Sequence, residues 1–162
     1  MSATTIVHEL ALQASIRRQM DAIVRAANAD AALLEGAGLE KNQIRNVLNV
    51  AEESHSLAVV TNFIRYQMGR SGTGPAWRHE RDEKVFGLHI VEQIESPTGI
   101  VARQTDAVLN QVQEQVEDIS QEAINELRYD LMRYYLGYLH RAFYYGNETG
   151  KWDDLRPTKG GA

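Results

Sequence analysis

The chain has 162 residues, 43% of them hydrophobic and none of them Cys, with a formal charge of −5. That length and apolar content suit one domain around a single core. The lack of Cys removes disulfides, thiol catalysis and thiolate metal sites, and fits a reducing cytoplasm, the expected location. No stretch approaches the roughly 18 uninterrupted apolar residues of a membrane span. The Met1-Ser2-Ala3-Thr4-Thr5 start lacks a basic region followed by an apolar block, so no secretory leader is expected.

Charge is unevenly placed. Residues 41 to 81 carry Lys41, Arg45, Arg65, Arg70, Arg78 and Arg81 against Glu52, Glu53 and Glu80, a balance of +3. Residues 92 to 126 carry only Arg103 against eight acids, a balance of −7. One part can therefore face a polyanion while another cannot. Thirteen of the 17 basic residues are Arg, whose planar fork suits phosphate and base stacking. Ordinary surface ion pairing explains the same composition equally well.

From Ile6 to Leu34, Leu10, Ile16, Met20, Ile23, Val24 and Ala27 recur at helical spacing, with Arg17, Arg18, Asp21 and Arg25 off the stripe. Gly36-Ala37-Gly38 ends this helix. Ile44, Val47, Leu48 and Ala51 form the next apolar face, and Leu57, Val60, Ile64 and Met68 another. Residues 40 to 69 are one helix or two, with Ser54-His55-Ser56 as the expected break. Residues 69 to 77 read as a loop. Helical spacing returns from Arg78 to Glu95 through Val85, Leu88, His89 and Val91 or Glu92.

Ser96-Pro97-Thr98-Gly99 is a turn. A helix from Ile100 to about Ile119 follows, through Val101, Val108, Val112, Val116 and Ile119. The last helix spans about Ser120 to Tyr145, with Ile124, Leu127, Leu131, Tyr134, Tyr135, Tyr138 and Ala142 on its stripe and Gly146 as its cap. No strand-like alternation is evident. The expected fold is all-α, a compact bundle of five or six helices: residues 1–146 form one helical domain and 147–162 a flexible tail.

Enzyme chemistry is sparse. Glu52-x-x-His55 has di-iron spacing, but no second copy exists, so no metal or other cofactor is expected. Gly69-x-x-Gly72-x-Gly74 lacks the Gly-Lys-Ser/Thr ending of a phosphate loop. His8, His55, His79, His89 and His140 share no motif that marks a triad. Tyr134, Tyr135, Tyr138, Phe143, Tyr144 and Tyr145 lie beside Arg133 and Arg141. Core packing is the favoured role for Tyr134 and Tyr138, while Tyr144 and Tyr145 suit either packing or base stacking.

Two groups of segments carry a resemblance. One is Gln43-Ile44-Arg45-Asn46-Val47-Leu48 followed by Phe63-Ile64-Arg65-Tyr66-Gln67-Met68-Gly69-Arg70; the other is Arg133-Tyr134-Tyr135-Leu136-Gly137-Tyr138-Leu139-His140-Arg141-Ala142-Phe143-Tyr144-Tyr145-Gly146. Together they resemble the Csm small subunit of type III-A CRISPR effector complexes, or a divergent type III small subunit. That family has an Ile-Arg-x-x-Leu element, a basic helix ending in Gly-Arg and a late helix with a Phe-Tyr-Gly-like ending. The resemblance implies a non-catalytic protein of antiviral defence. Copies would stack along a ribonucleoprotein filament against one another, other subunits and the guide RNA–target RNA duplex. Base pairing would read sequence while this protein reads backbone and shape. It also implies Arg45, Arg65 and Arg70 as RNA-binding residues, with Arg133 and Arg141 as secondary candidates. The alternative is a helical adaptor that binds only proteins, through the Tyr-rich helix or the segment around Trp152.

Overall fold

Ser2 accepts a hydrogen bond from the Thr5 amide and opens helix α1, Ala3–Ala32. The structure is a computed structural model that describes residues 2–158. Gly36 and Gly38, at φ +77° and +71°, turn the chain after α1 in a region that suits glycine. Helix α2, Lys41–Ser54, ends where His55 enters the left-handed region, and Ser56 caps α3, Leu57–Gly69. Residues 40 to 69 are thus two helices, broken at the expected place.

Between Arg78 and Val85 the structure departs from the helical expectation. A single turn, α4 (Gly74–Trp77), buries the Trp77 ring within the segment expected to be a loop. The Arg78 guanidinium then closes on the Met68 carbonyl. Strands β1 (Glu80–Arg81) and β2 (Lys84–Val85) form a two-stranded antiparallel hairpin. Its two-residue turn holds Asp82 and Glu83 at φ +52° and +63°, the conformation of a type I′ hairpin turn. Helix α5 starts only at Phe86 and runs to Glu95. Its buried face is Phe86, Ile90, Val91 and Ile94, whereas Leu88, expected inside, is exposed.

Helix α6, Ile100–Val112, stops well before Ile119. Glu114, Glu117 and Asp118 follow its C-terminal end, where the helix dipole disfavours negative charge. Ser120 then caps α7, Gln121–Thr149, through the Ala123 amide. The cap at the far end is Gly150 at φ +70°, not Gly146, which lies buried inside the helix. A short 3₁₀ turn, Trp152–Leu155, folds Trp152 onto Gly146 and Phe143. Arg156 joins Arg81 on the Glu35 carboxylate. Residues 147 to 149 thus complete α7, and Trp152 and Arg156 are held against the bundle, within the segment expected to be a flexible tail. Residues 159 to 162 of that expected tail lie outside the described residues.

The fold is all-α in class, six helices of ten residues or more around one core, with the small hairpin as its only sheet among the described residues. The two long helices α1 and α7 pack along each other, and α6 lies against both. Helix α2 covers α7, α3 covers α2, and α5 bridges α3 and α6. Trp77, Phe86, Met132, Tyr135, Leu136 and Phe143 fill the centre. Leu10, placed on the core stripe by its spacing, is 62% exposed beside Ile6 and Val7 on the first turns of α1. No helix of the described residues is long and apolar enough to cross a membrane.

Candidate nucleic-acid interface

Helix α2 buries Ile44, Val47 and Ala51, which leaves Lys41, Arg45 and Asn49 on its outer face at i, i+4 spacing. It runs antiparallel to α7. At one end the Lys41 ammonium lies 4.9 Å from the Tyr144 ring centre and pairs with Glu148. At the other end the His55 ring stacks on Tyr129 at 4.4 Å. Between these ends sits His140. Burial first, and then the charges of Arg45 and Arg141, hold its imidazole below the usual value. The two arginines thus act on one ring from two helices.

The α7 side of this seam alternates cation and aromatic ring. Arg141 lies 5.7 Å from the Tyr138 ring, and Arg133 lies 5.8 Å from Tyr129 and 5.7 Å from Tyr134. Stacked guanidinium groups keep their hydrogen-bond edges free for phosphate. Gly137 sits one turn from each arginine, and a Cβ there would meet nothing within 4 Å, so the surface is notched between them. Tyr144 and Tyr145 are 47% and 39% exposed, while Tyr134 and Tyr138 pack partly into the core as favoured from sequence.

The five arginines singled out by sequence fall into two groups. Arg45, Arg70 and Arg141 have no ion-pair partner among the described residues. Arg65 is committed: both its terminal nitrogens donate to the Glu95 carboxylate at 3.0 Å. That fork is the leading cause holding Glu95 below its usual carboxylate value. Arg133 lies 3.6 Å from Asp130, whose carboxyl is raised chiefly by burial. The structure brings Arg45 and Arg141 together. It leaves Arg65 and Arg70 on α3 and its C-cap, where Arg70 lies 5.6 Å from the Tyr66 ring.

Two features escaped sequence reading. Lys41 belongs to the seam, and its position four residues before Arg45 was the available signal. The other is Asp30, only 4% exposed, which binds three side chains from two other helices. Its signal was a carboxylate three and seven residues beyond Ala27 and Ile23, on the apolar stripe of α1. His55 is turned onto Tyr129, and among the described residues there is no group of three His, Asp or Glu side chains placed to hold a metal ion. No protein-family model, no curated protein and no solved structure matches this chain.

Proposed function

We propose that the chain is a non-catalytic small subunit of a type III CRISPR RNA-guided effector complex, contacting the guide RNA–target RNA duplex through the α2–α7 seam. The class rests on the sequence resemblance. One observation carries the placement: unpaired Arg45 and Arg141 flank a single half-buried imidazole, in line with Lys41 and exposed Tyr144. The two resembling stretches that contain Arg45 and Arg141 are α2 and α7, packed on each other. The seam offers cations and flat rings, which suits a backbone partner.

Arg45 and Arg141 lead the contact; unpaired Arg70 ranks next, apart from the seam at the C-cap of α3, and the ion-paired Arg65 and Arg133 rank last. The test is RNA retention by the assembled complex against salt, because a net charge of −5 gives the isolated chain little long-range attraction. Removing one phosphate-binding side chain reduces the salt slope by about one, so Arg45→Ala with Arg141→Ala reduces it by about two. An unchanged slope removes the seam from the RNA interface.

A protein-only adaptor is favoured by a different observation. Ile6, Val7 and Leu10 form an exposed apolar face on the first turns of α1, the kind of surface that marks a protein contact. Purified native complexes free of RNA would support that reading over the first.

A further inference from the structure

We infer that the cleft bounded by α1, β2, α5 and the start of α6 binds a small phosphate monoester. This site is separate from the seam and does not depend on the proposed RNA role. The cleft encloses about 380 Å³, within the range of small-molecule sites. Its floor is Asp30. One carboxylate oxygen accepts from His89 Nε2 at 2.7 Å; the other accepts from Gln93 Nε2 at 2.8 Å and from the Tyr135 hydroxyl at 2.5 Å.

An ionised carboxylate only accepts, so His89 Nε2 carries the proton of that bond. Nδ1 is the nitrogen left over, on a ring that lines the cleft. Gln93 is fixed in turn, because its Oε1 accepts from the Ile100 amide at 3.0 Å. The floor is therefore set before any ligand arrives, which is what an orienting site requires.

The rim supplies charge. Lys84 and Arg103 both line the cleft, and neither has an ion-pair partner among the described residues. Glu92 is the one other carboxylate in the lining, and it too is unpaired. Lys84 and Arg103 formally balance Asp30 and Glu92, but Asp30 is held at the floor by its three donors, so the two rim cations are left free for a ligand. Two cations suit a phosphate dianion. Glu92 offers an acceptor for a hydroxyl beside that phosphate, and Ser96 and Thr98 add hydroxyls. No Phe, Tyr or Trp lines the cleft, so a nucleobase finds no stacking platform beyond His89. A sugar phosphate fits this chemistry better than a nucleotide.

A phosphate group could also come from an RNA strand, and the experiment separates the two sources. Full-length protein is titrated calorimetrically with ribose 5-phosphate, and the bound sample is then challenged with a short RNA duplex. Saturable one-to-one binding is expected, undisturbed by the duplex. Arg103→Ala and Lys84→Ala, both at exposed positions that leave the fold intact, each weaken it roughly tenfold. No saturation by about 10 mM, equal affinity in the Arg103 variant, or displacement by the RNA duplex each overturns the proposal.

Discussion

The hydroxyl of Tyr135 on α7 donates to the Asp30 carboxylate on α1 across 2.5 Å, in a region with no water-facing surface around the phenol. Burial first, and then the Asp30 charge, raise the Tyr135 hydroxyl well above its ordinary value. The proton therefore stays on the phenol, and the bond is that of a neutral donor to a buried anion. Such a bond contributes more than a neutral pair, so Tyr135→Phe destabilises by about 2 kcal/mol. Asp30→Ala strands the Tyr135 hydroxyl and the Gln93 amide together and costs about 3 kcal/mol or more. Urea unfolding followed by far-UV circular dichroism measures both. An Asp30→Ala midpoint equal to wild type contradicts this account of the network.

Trp152 sits on Gly146 so closely that a Cβ there would clash with its ring. In Gly146→Ala two effects oppose. Helix propensity gains about 1 kcal/mol, while expelling a buried Trp costs about 3 kcal/mol. The ring wins, and the variant loses about 2 kcal/mol with a red-shifted Trp emission. Because Trp77 also emits, the same shift must vanish when Trp152→Phe is added. Emission unchanged in Gly146→Ala would show that the C-terminal segment is not docked there.

Asp82 and Glu83 occupy left-handed backbone in a turn that favours Asn-Gly. Replacing the pair by Asn-Gly relieves that conformation and stabilises by about 1 kcal/mol. A lower melting temperature in the double variant would contradict the turn type.

The depressed His140 value has a definite sign. Above 6.5, the ordinary value, folded and unfolded chains both hold the ring neutral. As pH falls from 6.5 through the lower folded value, the unfolded chain takes up the proton first, and stability is lost over that window. Arg45→Ala with Arg141→Ala moves the folded value toward 6.5 and shrinks the loss, although burial keeps part of it. Proton NMR titration of the His140 ring reads the value directly in both proteins. Titration at or above 6.5 in wild type would place the two arginines elsewhere.

Much of the bundle was legible because apolar residues recur with the period of a helix and because Gly36, Gly38 and Ser56 punctuate it. The errors have physical causes. The hairpin was missed because Asp82-Glu83 carries no Asn-Gly signal and its strands are two residues each. Helix α6 was overextended because Val116 and Ile119 keep the period after Glu114 and Glu117 have turned against the dipole. Gly146 looked like a cap, yet its missing side chain serves Trp152, a tertiary partner six residues on. At the candidate interface, the sequence selected arginines by type and segment. Which of them are free depended on Glu95 and Asp130, and the meeting of Arg45 with Arg141 depended on α2 lying on α7.

The most direct test of the central claim is ultraviolet crosslinking of the full-length chain purified with its native assembly. RNA should copurify, with crosslinked peptides mapping to Lys41–Arg45 on α2 and His140–Tyr144 on α7. An assembly without RNA, or crosslinks confined to surfaces away from that seam, would contradict it.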